Sequence, residues 1–148
     1  MANTINIHRV LKAPVARVFR AFSDPQAKAV WLPPFGFICT VHSFDFKEGG
    51  NYKMSFTNFT NEQKHSWGGT FKLIKPNELL VITDKFDDPN LPGEMTVTVA
   101  FREVLCGTEI TIKQEGIPEM IPTEMCYLGW QESLIKLAQL VEPEINQS

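Results

Sequence analysis

The chain has 148 residues, with 14 basic side chains against 17 acidic ones and a net charge of −3. That length suits one domain able to bury roughly two thirds of its unfolded surface, and the absence of charge runs excludes the basic footprint that nucleic acid or an anionic membrane demands. Three cysteines, Cys39, Cys106 and Cys126, odd in number and without a CxxC pair, predict free thiols in a reducing compartment and hence the cytoplasm.

From the amino terminus, Thr4 to Leu11 alternates Ile5, Ile7, Arg9 and Leu11 against Thr4, Asn6, His8 and Val10, which predicts a first strand. No stretch of Met1 to Leu11 has signal-peptide character, and no later run approaches the ~20 apolar residues that span a bilayer. Pro14 suits a first helical turn, and Val15, Val18, Phe19 and Phe22 follow at helical spacing. Ser23-Asp24-Pro25 then stops that helix and caps a second, ending near Val30. Trp31 to Phe37 holds three prolines or glycines among three aromatic rings and predicts a packed loop.

Six further strands are expected: Cys39 to Phe46, Tyr52 to Phe59, Ser66 to Ile74, Leu79 to Phe86, Met95 to Glu103 and Thr108 to Gln114. The short turns at Lys47–Gly50, Asn61–Lys64, Lys75–Glu78 and Leu105–Gly107 make the sheet mainly antiparallel, while Asp87 to Gly93 is a longer, irregular rim segment. Within the strands Tyr52, Met54 and Phe56 oppose Lys53, Ser55 and Thr57, and Ile110 and Ile112 oppose Glu109, Thr111 and Lys113, so one face is wet and the other covered. The cover is a last helix, Pro122 to Val141, ~30 Å long. Its stripe of Thr123, Tyr127, Trp130, Leu134, Leu137, Ala138 and Val141 passes from wide aromatics to compact aliphatics.

The sequence therefore predicts a single α+β domain over residues 1–148. Its core runs from about 4 to 141, with 142–148 as a flexible tail, and the order is strand, two short helices, six strands, long helix. One helix cannot fill the width of a curled seven-stranded sheet, so a cavity is expected beside the aromatic half of that helix. Around it the pattern places Trp31, Phe37, Phe56, Trp67, Phe71, Gln114, Tyr127, Trp130 and Leu134. Gln114 is the informative member, an amide at the end of an apolar strand face that must find backbone, water or ligand to bond. Asp45 reads either as an outward strand charge or as a partner for Arg9.

No catalytic set emerges. His8, His42 and His65 fall on three different strands without metal-ligand spacing, Gly49-Gly50 sits in a hairpin and not before a helix, and neither Cys39 nor Cys126 has a basic sequence neighbour to activate it. Neither a metal nor a cofactor is called for. The expected partner is a small apolar or aromatic molecule, held without catalysis. An enzymatic alternative of the cyclase or hydratase kind would need Gln114, Tyr127, Asp45 or Glu124 inside the cavity. The strand expected over Cys39 to Phe46 lies at an edge where a second copy could pair to form a homodimer.

These residues also carry a resemblance. Ile7-x-Arg9, Ala13-Pro14, Val18-Phe19-x-Ala21, Asp24-Pro25, Trp31 with Pro34-x-Gly36-Phe37, Asp45-x4-Gly50, Gly107-Thr108, Gln114-x-Gly116 and Gly129-Trp130-x3-Leu134-x2-Leu137 resemble the family named for the activator of the 90-kDa heat-shock-protein ATPase. That family belongs to the helix-grip superfamily of START-like and birch-pollen-allergen-like domains and includes the calicheamicin self-resistance protein. The resemblance spans Ile5 to Val141. It implies the same element order, an internal cavity under the last helix, and a chaperone interaction as an alternative role. Leu32, Pro33 and Leu128 depart from the family's usual residues where the cavity mouth would be framed, so ligand identity does not carry over.

Overall fold

The computed structural model describes residues 3–147. The elements are β1 (Ile5–Leu11), α1 (Val15–Ser23), α2 (Pro25–Trp31), β2 (Phe37–Phe44), β3 (Asn51–Asn58), β4 (Lys64–Lys75), β5 (Leu79–Phe86), β6 (Met95–Val104), β7 (Gly107–Glu115) and α3 (Thr123–Val141). All seven strands form one antiparallel sheet in the order β1-β7-β6-β5-β4-β3-β2. Consecutive strands are neighbours except β1 and β2, which take opposite edges because α1 and α2 carry the chain between them.

Two local devices make that crossing. Asp24 both ends α1, donating its backbone N–H to the Arg20 carbonyl, and caps α2, its carboxylate accepting from Gln26 N at 2.9 Å and Ala27 N at 3.3 Å. Pro25, in the first turn of α2, lacks only an N–H that would have had no helical partner. The second device is Trp31, fully buried, whose Nε1–H donates to the Ala21 carbonyl at 2.7 Å while its ring meets Phe22 edge-on at 4.7 Å. The indole thus locks α2 against α1.

One face of the sheet is inward: Ile5, Ile7 and Leu11; Tyr52 and Met54; Leu80 and Ile82; Met95, Val97, Val99 and Phe101; Ile110 and Ile112 are all buried. Arg9 shares this face of β1, and its Nε is buried without a partner among the described residues. Asp45 does not meet it. That carboxylate is exposed and faces Lys47 at 3.6 Å, because the chain has already left β2 for the hairpin turn.

α3 grips the inward face next to β1, flanked by α1 and α2. Ser133, Leu134, Leu137, Ala138 and Val141 are buried along its second half. The expected stripe holds there and slips in the first half, where Cys126 and Trp130 face inward while Tyr127 and Leu128 are exposed, 40% and 55% accessible. The side of the helix that bears Tyr127 stays partly open at this end, so helical spacing alone does not place that ring in the core. Beyond α3, the start of the expected tail is anchored. Glu142 accepts from Lys12 N at 3.0 Å, and Arg17 pairs with Glu144 at 2.8 Å.

Candidate functional site

Between the sheet and the first half of α3 lies a cavity of about 260 Å³. Its body is apolar: Phe22, Trp31 and Leu32 from the α1–α2 layer, Met54, Phe56, Trp67, Ile82, Phe86, Val97 and Val99 from the sheet, and Met125, Gly129 and Trp130 from α3. The second half of α3 has no such gap, because Leu134 and Leu137 are compact and pack directly onto the sheet.

Of the residues expected around it, Trp31, Phe56, Trp67, Gln114 and Trp130 line this cavity and Phe37, Phe71, Tyr127 and Leu134 do not. Phe37 sits half-buried on the edge strand β2, behind Phe56 with ring centres 6.1 Å apart. Phe71, fully buried, belongs to a closed aromatic cluster with Phe44, Phe46 and Tyr52 at 5.0–5.4 Å. Leu134, next to the lining Ser133, is turned into the core. Tyr127 points outward for the reason given above.

Gln114 finds protein partners for both ends of its amide. Trp130 Nε1–H donates to its Oε1 at 3.0 Å and its Nε2 reaches the Met95 sulfur at 3.3 Å. This bond ties α3 to β7 at one wall of the cavity. His65 adds a second polar group, on an exposed stretch of β4.

A further part of the lining holds groups that the sequence did not single out. Lys28 of α2, only 5% accessible, lines the cavity with Nζ 5.8 Å from the ring centres of both Phe44 and Tyr52. Two aromatic faces flank the amine, a favourable placement for a cation, yet burial pulls Lys28 below the usual lysine range, with Asp84 and then Cys39 opposing the shift. Asp84 stands at an inward position of β5 and is bonded to the Tyr52 hydroxyl. Burial pushes its carboxyl up, against the opposing effects of Tyr52 and Lys28. The Tyr52 hydroxyl also lies 2.9 Å from the Thr83 carbonyl. One phenolic proton cannot serve two oxygens, so the set is complete when Asp84 carries a proton of its own. Burial, then Asp84, raises Tyr52 well above the ordinary phenol range, which keeps it neutral.

Both signals were present in the chain. Leu80, Ile82, Asp84 and Phe86 alternate on one face of β5, and Lys28 is three residues from Trp31 on the same side of α2. Asp45 and Glu124, the carboxylates considered for chemistry, are exposed and do not line the cavity. No group of three metal-ligating side chains occurs among the described residues, and no helix among them is long and apolar enough to cross a membrane.

Neither half-buried thiol is activated, Cys126 in the cavity lining or Cys39 on β2 outside it. Burial pushes Cys39 up to about 11, with Lys28 and Lys136 opposing, and raises Cys126 as well, whereas Cys106 lies exposed in the β6–β7 turn. At pH 8 a soluble thiol reagent should label Cys106 at least about tenfold faster than Cys39, since only thiolates react. Peptide mass spectrometry over a time course reads this out, and equal rates would contradict the partial burial of Cys39.

A curled antiparallel sheet of seven strands closed around a carboxy-terminal helix, with two short helices bridging its edges, defines a helix-grip domain. Within that class the chain belongs to the family described as activator of Hsp90 ATPase homolog 1-like proteins, whose model matches residues 12–142. Its structure is similar to that of a Chromobacterium violaceum protein, 54% identical, with a TM-score of 0.95 over 96% of this chain and 99% of that one. Proteins of Rhodobacter sphaeroides (20% identical, TM-score 0.82, over 93% of this chain and 90% of that one) and Rhizobium leguminosarum (25%, 0.79, 97% of each) share the fold. No curated protein matches the sequence.

Proposed function

We propose that this domain binds a small, largely apolar molecule in the cavity between the sheet and the first half of α3. The supporting observation is the cavity itself: about 260 Å³ of unfilled space, walled mainly by aromatic and aliphatic side chains. Empty apolar space of that size costs stability through lost contacts, and an apolar guest restores them. Its volume lies near the lower end of ligand pockets, which favours a single-ring aromatic or a medium-length chain over a large lipid.

Thermal-shift and native mass-spectrometry screens against single-ring aromatics and medium-chain aliphatics should find compounds that raise the melting temperature and bind one to one. Trp130→Ala, which removes a cavity wall and the bond to Gln114, should weaken the best of them at least about tenfold, whereas Tyr127→Ala, outside the cavity, should not change the affinity. A screen in which no compound binds, or in which both variants lose binding equally, refutes this assignment.

A further inference from the structure

Resting on the small-molecule reading above, we propose that the occupant of the cavity is an apolar carboxylic acid, its carboxylate set against Lys28 and Asp84 and its hydrocarbon against Trp67, Phe56 and Val97. An apolar cavity has no need of an amine. Lys28 nonetheless sits in this one, almost wholly withdrawn from water, and none of the hydrogen bonds or ion pairs among the described residues involves its Nζ. The contrast with Lys136 is informative: that ammonium, on α3, donates to the Pro33 carbonyl at 2.9 Å. Lys28 has only the faces of Phe44 and Tyr52, which attract a cation without accepting its hydrogen bonds.

Three N–H donors turned to a mostly apolar cavity without a protein acceptor are costly, and a ligand that supplies acceptors recovers that cost. A neutral carbonyl or hydroxyl would supply one. A carboxylate does so with charge-assisted bonds about twice as strong and also provides the missing counter-charge. The nearby carboxyl of Asp84 would repel such a ligand if ionised. Its position argues for the protonated form: it stands half-buried at an inward position of β5 among apolar lining, and Tyr52 already has the Thr83 carbonyl as acceptor for its own proton. A protonated Asp84 carries no charge to repel the incoming carboxylate, and with its proton held toward the Tyr52 oxygen it leaves Lys28 as the donor that the ligand meets. The apolar lining continues from this polar wall toward Trp67 and Phe86, so head and body of one amphiphilic molecule have distinct places.

The test compares matched probes: octanoate and 4-phenylbutyrate against octanol, 4-phenylbutanol and the two methyl esters, by calorimetric titration of the full chain at one pH. The acids should bind at least about tenfold more tightly than their alcohols and esters. In Lys28→Met that preference should fall below about threefold with the alcohols' own affinity retained, and Lys28→Arg, which keeps the charge, should preserve part of it. Melting curves establish that each variant is folded. Equal binding of acid, ester and alcohol, or an acid preference that survives in Lys28→Met, overturns the carboxylate assignment and leaves the small-molecule reading standing. Binding of no probe in either class overturns both.

Discussion

Gly69→Ala should be the most damaging single-methyl change in this protein, lowering unfolding free energy by at least about 3 kcal/mol or preventing recovery of folded chain. A β-carbon built on Gly69 would stand 1.7 Å from the Thr83 carbonyl oxygen and 2.6 Å from its carbon, both backbone atoms of the adjacent strand. No rotamer relieves such a clash, so β4 must leave β5. The pairing of these strands is already irregular nearby, with a register shift between Phe71 and Leu73 that lets β4 bend across β5. The obstructed carbonyl is also the one that accepts from Tyr52, so the same change disorders the polar wall of the cavity. Gly49→Ala is the control. It has nothing within 4 Å and only a left-handed φ of +83° to strain it, which costs about 1 kcal/mol. Urea unfolding of the two variants should separate them clearly. Comparable losses would mean that the close approach of β4 to β5 is not a constraint on the native state.

Nothing in the sequence marks Gly69 apart from Gly68, because the constraint comes from a neighbouring strand and not from a local turn. Elsewhere the chain is more transparent. Alternation of Met54 with Lys53, or of Ile110 with Thr111, depends only on one face of the sheet being covered, and short turns leave antiparallel neighbours as the sole arrangement, so element order and pairing could be read in advance. α3 was legible as an amphipathic helix over Leu134 to Val141, where the sheet lies beneath it. It was misread at Tyr127, because a wheel projection assumes an equal partner along the whole helix while here the first turns overhang a gap.

The polar wall was missed for a different reason. Lys and Asp are so rarely buried that a charge on a short helix or strand is read by default as solvated. Trp31 three residues after Lys28, and Ile82 and Phe86 on either side of Asp84, outweigh that default only when strand and helix are known to face one another. Gln114, by contrast, could be singled out from its place on an apolar face, yet its partner could not. Trp130 is separated from it by a loop whose path no local rule fixes.

Lys28→Met should raise stability at acid and neutral pH, by about 1–4 kcal/mol at pH 5, and the gain should shrink steadily as pH rises. Methionine replaces the amine by a flexible apolar chain and removes the cost of holding a cation between Phe44 and Tyr52 away from water. The pH dependence follows from two directions of shift. Lys28 is lowered by burial from 10.5, so the unfolded chain holds its proton where the folded one releases it. Wild-type stability therefore climbs with pH between the folded value and 10.5, and the variant, lacking the group, does not share that climb. Asp84 is raised by burial above 3.8, so its folded form retains a proton that the unfolded form has lost, and stability falls as pH rises from about 4 through the folded value. Lys28 is one of the influences holding that value down. Without it Asp84 shifts further up, and the fall continues over a wider range in the variant than in the wild type. Both effects reduce the variant's advantage with pH, and neither increases it. Adding Asp84→Asn should remove the Asp84 part of this dependence and leave only the Lys28 part near the alkaline end. Chemical unfolding of the wild type and both variants from pH 4.5 to 9.5 reads this directly. An advantage that grows with pH, or a Lys28→Met protein less stable than wild type at pH 5, would mean that Asp84 is an ionised partner of Lys28 in the folded state, and the cavity would then present a closed ion pair with no donor left for a ligand.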